Sequence, residues 1–381
     1  MSYVLAKSQN DDILSVGECG GAVTSVLKYL LDEQLVDGVI ALRPCDDVYD
    51  ATPVFVTDSE ELVSTAGSYH CAPTMIGDLI EQYVDDDTKL AVTVKPCDMR
   101  AMHELIIRHK INGDNIYFIG LNCGGTVSPV SGRKMIDLFY EADPDDVVSE
   151  EIDKGKFIIE LADGTEEAVK IHDLEADGYG RRKNCQRYDV KIPRGADIAC
   201  GNWGGAEDGW TFVEINNDKG QELIDGAKKA GFLETKTPAD AAVEARSKVE
   251  NIMIKMAKKN QEATYPTVSA MTEWSRCISC YACRDICHVC WCFHNCELNK
   301  SYFKDEANVP PSPIAFQGVR LSHMSFSCCD CGQCEDVCPM DIPVSLIFDK
   351  LQKKYCERTG YYAGVSEDIK PPLYSPEKTE F

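Results

Sequence analysis

Two copies of one cysteine pattern constrain this chain more than any other feature of its sequence. Both copies have the spacing C-x2-C-x2-C-x3-C, and their members are Cys277, Cys280, Cys283 and Cys287, then Cys328, Cys331, Cys334 and Cys338. Pro339 follows the last of them. At this spacing, one tight loop supplies three thiolates to a 4Fe-4S cube, and the fourth cysteine reaches the other cluster. The pattern therefore predicts two 4Fe-4S clusters with crossed ligation.

In the crossed arrangement, Cys338 completes the first set of thiolates and Cys287 completes the second. Paired C-x2-C units also build zinc sites, but zinc needs only four thiolates in two pairs. Each copy here has a third and a fourth cysteine at ferredoxin offsets. A disulfide framework is disfavoured, because the chain is long and nothing marks it for export.

Length and charge limit the kind of protein this can be. The chain has 381 residues, 20 cysteines and a formal charge of −24. A chain of this length can bury a core without covalent staples, so the cysteines are expected to be ligands in a reducing compartment. Residues 1–7 do not begin a signal peptide, and no apolar run approaches a membrane span. We expect a cytoplasmic protein without membrane or nucleic-acid partners, since nucleic acid would repel its charge.

The first three-fifths of the chain alternate between predicted strands and helices, which indicates an α/β domain with a mainly parallel or mixed sheet. Strands are predicted at 36–42, 53–57, 90–94 and 116–121, helices at 76–83, 98–109 and 135–140, and a hairpin at 157–161 and 168–171. Lys95 to Asp98 and Asn122 to Gly125 directly follow two of these strands. Ligands of such sheets bind beyond the carboxyl ends of the strands.

Three further stretches are candidates for binding. Gly17 to Ser25 opens a helix with small residues, where backbone N–H groups can reach a phosphate, although a loop turning into a core helix is the commoner explanation. Residues 178–187 form the one concentrated basic stretch, suited to an anionic ligand or to a solvated loop. Residues 196–205 combine glycines with Trp203, as in a lid over a flat ring or an ordinary turn.

The C-terminal part is predicted to be a small, mostly helical domain. We place an α/β domain at 1–235, a connecting helix at 236–266, a ferredoxin-like domain at 267–356 and a polar arm at 357–381. The additional thiols Cys290, Cys292 and Cys296 are expected to pack near the clusters, as Cys19, Cys45 and Cys71 are expected to pack elsewhere. His288 and His294 are less favoured as ligands.

Taken in order, five motifs resemble a known family. They are Gly20-Gly21, Lys95-Pro96-Cys97-Asp98, the stretch from Gly120 to Gly125, Asn184-Cys185 and the stretch from Gly201 to Gly204. Together they resemble the beta subunits of deazaflavin-dependent hydrogenases and dehydrogenases, most closely those of methanogen formate dehydrogenases. The C-terminal part is similar to the two-cluster ferredoxin modules of heterodisulfide reductase.

The resemblance implies a flavin-binding α/β domain with non-covalent FAD and the deazaflavin coenzyme F-420 as substrate. It places Gly20, Gly21, Thr24 and Ser25 at the flavin phosphates, and it places Lys95, Asp98, Asn122, Gly124, Asn202 and Trp203 at the flavin or coenzyme. Arg181 and Arg182 would receive the polyanionic tail of the coenzyme. No catalytic acid or base is implied.

The resemblance also implies a third 4Fe-4S cluster within the α/β domain. Cys97, Cys123 and Cys185 match its ligands, but Tyr188 stands where the family has a cysteine. We expect Cys200 to supply the missing thiolate, because a phenolate is a poor cluster ligand. The alternative is that these residues are buried reduced cysteines.

The function implied is electron transfer between the clusters and FAD, with reversible hydride transfer to the coenzyme. Formate would be oxidised on an alpha subunit that holds a molybdenum or tungsten pterin, and heterodisulfide reductase is a further expected partner. The alternatives are the beta subunit of a coenzyme F-420-reducing nickel–iron hydrogenase, and a flavin-free iron–sulfur relay or redox sensor. A flavin is expected because clusters exchange electrons singly and the deazaflavin exchanges them in pairs.

Overall fold

The structure is a computed structural model, and two compact units make up the chain. It describes residues 2–77, 79–80, 85, 87–204, 209–290, 296, 298, 312–366 and 369–371. The first unit comprises 1–76, 87–96 and 115–255, and the second comprises 77–86, 97–114 and 256–381. Half of the helix predicted at 76–83 lies outside the described residues, as do Cys292 and His294.

Eleven strands form two sheets in the described part of the first unit. They are β1 Ser2–Ser8, β2 Gly38–Pro44, β3 Ala51–Val56, β4 Leu90–Val94, β5 Ile116–Leu121, β6 Val147–Asp153, β7 Lys156–Leu161, β8 Glu166–Lys170, β9 Ile198–Gly201, β10 Thr211–Ile215 and β11 Leu233–Lys236. The large sheet has the order β11-β1-β10-β9-β5-β4-β2-β3, and β6, β7 and β8 form a small antiparallel sheet. Strands β9, β5, β4 and β2 run parallel at the centre of the large sheet, flanked by antiparallel strands. The expected α/β class with a mixed sheet is confirmed.

Helices connect the strands of the first unit and make up most of the described part of the second unit. They are α1 Asp11–Val16, α2 Ala22–Asp32, α3 Pro96–Ile107, α4 Pro129–Phe139, α5 Ile171–Ala176, α6 Lys183–Arg187, α7 Asp218–Lys229, α8 Asp240–Thr264, α9 Ala270–Trp274, α10 Ala282–Asp285, α11 Pro313–Met324, α12 Gln333–Asp336 and α13 Val344–Thr359. Among the described residues, no helix combines the length and the apolarity that crossing a bilayer requires.

The core of the first unit lies between α2 and the large sheet. Val26, Leu27 and Leu30 on one face of α2 are at most 1 % exposed and pack against buried residues of the central strands, such as Ala91 and Ile119. The central strands are apolar along their length, as expected for parallel strands that are covered on both faces. Burial of these side chains therefore fixes α2, and with it the glycine-rich stretch that precedes it.

The agreement between prediction and structure differs between the two halves of the large sheet. Strands β4 and β5 have the predicted bounds, and the bounds of β2, β3 and the hairpin differ from the predicted ones by at most two residues. The strands β1, β9, β10 and β11 lie outside the predicted ones. The stretch 196–205, expected to be a lid or a turn, includes β9, which pairs with both β5 and β10.

The second unit holds part of the predicted C-terminal arm in place. Glu104, which is fully buried, accepts hydrogen bonds from the Tyr361 hydroxyl and from the Gly364 N–H, the latter at 2.8 Å. Arg100 donates from Nε to the Ala363 carbonyl at 2.9 Å. A buried carboxylate and a guanidinium thus fix residues 361–364 against α3.

Two helical glycines provide a test of packing in this fold. A Cβ added at Gly220 in α7 would lie 2.1 Å from the Asp197 carbonyl oxygen, whereas one added at Gly318 in α11 would meet no atom within 4 Å. We expect Gly220→Ala to lower the free energy of unfolding by about 1–3 kcal/mol, because backbone must move. Gly318→Ala should raise it by about 0.5–1 kcal/mol, since alanine is the better helix former. Urea unfolding of both variants measures the difference; equal effects would contradict it.

Candidate functional site

Three polar side chains lie together at one edge of the large sheet. Lys95, Asn122 and Asn202 directly follow β4, β5 and β9, which are neighbouring parallel strands. The Asn122 N–H donates to the Cys200 carbonyl at 2.8 Å, and Lys95 Nζ donates to the Thr74 carbonyl at 2.7 Å. The carboxyl ends of adjacent strands thus bring these predicted site residues to one edge, where α/β sheets bind ligands.

The glycine-rich stretch before α2 allows a close approach of backbone. A Cβ at Gly20 would lie 2.5 Å from the Ala6 carbonyl oxygen, and Gly21 has a φ of 64°, in the left-handed region. Gly21 is the N-cap of α2 and makes no side-chain cap hydrogen bond. Thr24 and Ser25 are buried, and the Ser25 hydroxyl donates to Ser8 Oγ at 2.6 Å. This helix start has the backbone N–H donors that a phosphate group requires.

Glu18 belongs to the same edge; it lies in the candidate stretch Gly17 to Ser25 but is not itself among the predicted site residues. Its Oε1 accepts a hydrogen bond from Asn202 Nδ2 at 3.2 Å, and the Ser68 hydroxyl donates to Oε2. Glu18 is exposed at the surface. Partial loss of water around its carboxyl group, and then the charges of Glu151 and Asp153, raise the pKa of Glu18 to about 7. Its carboxyl group is therefore protonated in part near neutral pH, within reach of a predicted ligand-binding residue.

Arg246, on α8, donates hydrogen bonds to two of the predicted site residues. It is 2 % exposed and donates from Nη1 to Asn122 Oδ1 at 3.1 Å and to the Trp203 carbonyl at 3.4 Å. Its Nε donates to Glu214 Oε1 at 2.6 Å, and Arg194 binds the same carboxylate at 2.9 Å. A helix expected only to connect domains thus contributes a buried cation that orients Asn122.

Glycines allow this close packing around Arg246. A Cβ at Gly201 would lie 1.3 Å from Asn122 Oδ1, and one at Gly204 would lie 2.3 Å from the Ala242 carbonyl oxygen. Gly204 also has a φ of 81°. The glycines around Trp203 are therefore required by the approach of α8 and of the Asn122 side chain.

Cys123 and Cys185 are half-buried neighbours in a positively charged environment. Burial would raise the pKa of Cys185, but Arg182, hydrogen bonds with Thr126 and then Lys191 outweigh it and lower that pKa. Arg182 Nη1 lies 3.8 Å from Cys185 Sγ, and Lys191 is 2 % exposed. Positive charge beside two thiols suits an anionic metal cluster.

The other predicted residues of this region are placed as follows. Arg181 is 8 % exposed and donates to Glu175 at 2.6 Å and to the Gly124 carbonyl at 2.9 Å. Cys200 is 1 % exposed in the apolar core, and burial raises its pKa to about 12, with Arg246 and Cys19 as further neighbours.

Two predicted ligands follow β4 but belong to the second unit. Cys97 and Asp98 open α3, where Asp98 is 1 % exposed. A hydrogen bond with Cys331 and burial raise the pKa of Cys329, and the thiol of Cys97 is close enough to contribute to this rise.

The two cysteine motifs of the second unit fold into loops of the same local geometry. The Ser279 N–H donates to Cys277 Sγ at 3.3 Å, and the Asp330 N–H donates to Cys328 Sγ at 3.4 Å. Left-handed residues occur at equivalent positions, Ser279 and Tyr281 in the first loop and Asp330 and Gly332 in the second. Backbone N–H groups that point at sulfur stabilise thiolate, as cluster-binding loops require.

The groups that influence each thiol separate these cysteines into two sets. Burial raises the pKa of Cys283, whereas Arg320 and Gln317 act in the opposite direction, and the nearby thiols of Cys277 and Cys280 raise it further. Burial raises the pKa of Cys334, and Arg320 acts in the opposite direction. The nearby thiols of Cys331, Cys328 and Cys287 raise it further. The fourth cysteine of the first motif thus lies with the second motif, and this is the placement that crossed ligation needs.

Cys329 and His288 are additional groups beside the second motif. Cys329 Sγ lies 3.5 Å from His288 Nε2, and the ligand atoms of His288, Cys329 and Cys331 lie within 4.8 Å of one another. Because Cys331 belongs to the second motif, we interpret this group as the surroundings of that motif and not as a separate metal site. Cys296 is 4 % exposed, in keeping with a packing role.

Three family models match the chain. Two of them describe the N-terminal and the C-terminal parts of "Coenzyme F-420 hydrogenase/dehydrogenase, beta subunit", and they match residues 3–81 and 87–241. The third, "4Fe-4S dicluster domain", matches residues 276–343. The first two cover the α/β part, and the third covers both cysteine motifs.

Relatives match the chain along its length. F-420-dependent formate dehydrogenase subunit beta of Methanocaldococcus jannaschii is 55 % identical over 383 residues, covering 99 % of this chain and 100 % of the relative. F-420-dependent formate dehydrogenase 1 subunit beta of Methanococcus maripaludis is 56 % identical over 381 residues, covering 98 % and 97 %. A chain of the F-420-reducing NiFe hydrogenase complex of Methanosarcina barkeri shares the fold, with a TM-score of 0.61 and 24 % identity over 70 % of this chain and 93 % of that chain.

The role of Arg246 can be tested by removing its charge. We expect Arg246→Met to lower the free energy of unfolding by about 3 kcal/mol, because Glu214 would stay buried with Arg194 as its remaining ion-pair partner. Lys248→Met, at an exposed position of the same helix, should change it by less than about 0.5 kcal/mol. Urea unfolding followed by circular dichroism checks both. If the two variants are equally stable, Arg246 does not hold this edge.

Proposed function

Since this chain belongs to the coenzyme F-420 hydrogenase/dehydrogenase beta-subunit family, we propose that it is the beta subunit of a formate dehydrogenase. In this role it transfers electrons between iron–sulfur clusters and coenzyme F-420. The observation that carries the proposal is full-length identity above one half with two formate dehydrogenase beta subunits. The two repeated thiol loops of the second unit fit the electron-transfer part of that role.

A non-covalent FAD would occupy the edge where β4, β5 and β9 end. When bound, FAD supplies the exchange between single electrons and the electron pair of a hydride. Gly20, Gly21, Thr24 and Ser25 would bind its phosphates at the start of α2. The start of α2 directly after Gly21 supports this, because backbone N–H groups at a helix N-terminus favour a bound negative charge.

The remaining residues of the edge would orient the rings. Asn122 and Asn202 would donate or accept hydrogen bonds at ring heteroatoms, and Trp203 would offer a flat apolar surface. Lys95, Asp98 and Gly124 complete the proposed set. Arg246 keeps the Asn122 amide in one orientation, which supports a role in positioning.

The basic stretch with Arg181 and Arg182 is proposed to face the anionic tail of the coenzyme. Both guanidinium groups are buried, and Arg181 already pairs with Glu175. Their positive charge would attract an anion that the rest of this acidic chain repels.

Two 4Fe-4S clusters would be held in the second unit with crossed ligation. The first would take Cys277, Cys280, Cys283 and Cys338, and the second Cys328, Cys331, Cys334 and Cys287. The proximity of Cys287 to the second set supports the crossing.

We also propose a third cluster bound by Cys97, Cys123, Cys185 and Cys200. The positive charges of Arg182 and Lys191 beside Cys185 support it. Cys200 is included because Tyr188 occupies the position of the fourth family cysteine.

The proposed partner is an alpha subunit that oxidises formate at a molybdenum or tungsten pterin. Heterodisulfide reductase is proposed as a second partner of the cluster-bearing unit. Both would exchange single electrons with this chain, whose predicted place is the cytoplasm.

Anaerobic purification of the native complex tests the main proposal. We expect released FAD, molybdenum or tungsten in the co-purifying partner, and reduction of coenzyme F-420 by formate. Nickel in the partner together with reduction by hydrogen would establish the hydrogenase alternative. A colourless supernatant after denaturation would leave only a flavin-free relay.

The third cluster predicts a specific iron content. The wild-type chain should contain about twelve iron atoms, and Cys200→Ala about eight, because one cluster of four irons loses a ligand. Cys45, expected to pack, is exposed. Cys45→Ala is therefore the matched control and should retain all of them. About eight irons in the wild type would show that Cys123 and Cys185 are ordinary buried thiols.

Glu18 predicts a pH dependence of coenzyme binding. With its pKa raised to about 7, Glu18 is mostly neutral at pH 6 and mostly charged at pH 8. The KM for the polyanionic coenzyme should therefore rise by up to about fivefold from pH 7 to pH 8, because the neutral fraction of Glu18 falls from about one half to about one tenth. Glu18→Gln should remove this rise. Parallel KM profiles of the two proteins would show that Glu18 does not face the coenzyme.

A further inference from the structure

Helix α11 lies between the two cysteine motifs in the sequence. One face of this helix, formed by two polar side chains and a thioether, contacts both motifs. Gln317, Arg320 and Met324, spaced three and four residues apart, are at most 5 % exposed. Gln317 Nε2 lies 3.5 Å from Cys277 Sγ, and Met324 Sδ lies 3.5 Å from Cys287 Sγ. Residues at this spacing share one helix face. The motifs are therefore packed around this face.

Arg320 is the charged member of this face. Nη1 lies 2.9 Å from Cys283 Sγ, and Nη2 donates to the Cys283 carbonyl at 2.7 Å. The guanidinium carbon also lies 5.2 Å from the centre of the Phe348 ring. A buried guanidinium is costly unless negative charge is near. The negative charge next to it is thiolate of both proposed cluster sites, since Cys283, Cys334 and Cys287 all act on it.

We propose that Arg320 is a redox-tuning residue that raises the reduction potentials of both clusters, and that of the first cluster most. The inference rests on the proposed two-cluster ligation. On reduction, a bound cluster would accept one electron from the partner subunit, with no bond made or broken, and its negative charge would increase. A fixed cation in a poorly solvated site stabilises the reduced state, as do hydrogen bonds to the ligand sulfurs.

The asymmetry follows from which sulfurs receive hydrogen bonds. Arg320 and Gln317 both donate to Cys283, and Gln317 also donates to Cys277, so two first-site thiolates receive donors from α11. At the second site, α11 offers Cys287 the thioether of Met324, which has no N–H or O–H to donate. Helix α11 should thus raise the potential of the first cluster more than that of the second.

Reduction potentials of the anaerobically purified complex test this inference. EPR spectra of the dithionite-reduced enzyme, recorded at controlled potentials, are to be compared for Arg320→Met, Arg320→Lys, Gln317→Leu and the wild type. We expect Arg320→Met to lower two cluster potentials, one more than the other. Gln317→Leu should lower only the one that Arg320→Met lowers more. Arg320→Lys keeps the charge and should lie between Arg320→Met and the wild type.

Lys354→Met is the matched control, since it removes the same charge from an exposed position of α13 and should shift neither potential. Unchanged potentials in Arg320→Met, with iron retained, would overturn the inference. If that variant fails to load iron, a Gln317→Leu protein with wild-type potentials would overturn it as well. Absence of iron from the wild type would instead overturn the proposed function.

Discussion

Buried guanidinium groups must find acceptors inside the protein, and this requirement links the fold to the proposed cofactor sites. Arg246 meets it with Glu214, the Asn122 amide and backbone carbonyls. Arg320 meets it with the sulfur and the carbonyl of Cys283. In each case the guanidinium group donates a hydrogen bond to a residue that is proposed to bind a cofactor. A chain with a net charge of −24 thus keeps positive charge where anionic groups are to be bound.

The features that can be predicted from the sequence are local ones. Thiol spacing along a tight loop is set by the backbone, so the eight motif cysteines are evident without a structure. Strands β4 and β5 are short apolar runs, and the polar residues that follow them lie at one edge because parallel neighbours end together. Lys95 and Asn122 are therefore recognisable as candidate site residues from their place after these strands.

The features that cannot be predicted in this way depend on distant pairing. Strand β1 pairs with β10 across more than two hundred residues, and β9 is a run of only four residues that ends in a glycine. Arg246 reaches Asn122 across 124 positions from a helix whose polar sequence resembles a linker. Arg320 is a partial exception, because an arginine at the spacing of Gln317 and Met324 lies on the same face of α11.

The contact between Glu104 and residues 361–364 has a consequence for how the chain can be altered at its C-terminal side. A protein shortened to residue 359 would lose the Tyr361 hydroxyl and the Gly364 N–H, and Glu104 would keep its charge with fewer donors around it. Arg100 would at the same time lose an acceptor, the Ala363 carbonyl. Fusion partners or affinity tags are therefore better attached beyond this segment, where the α3 carboxylate and guanidinium keep their hydrogen-bond partners.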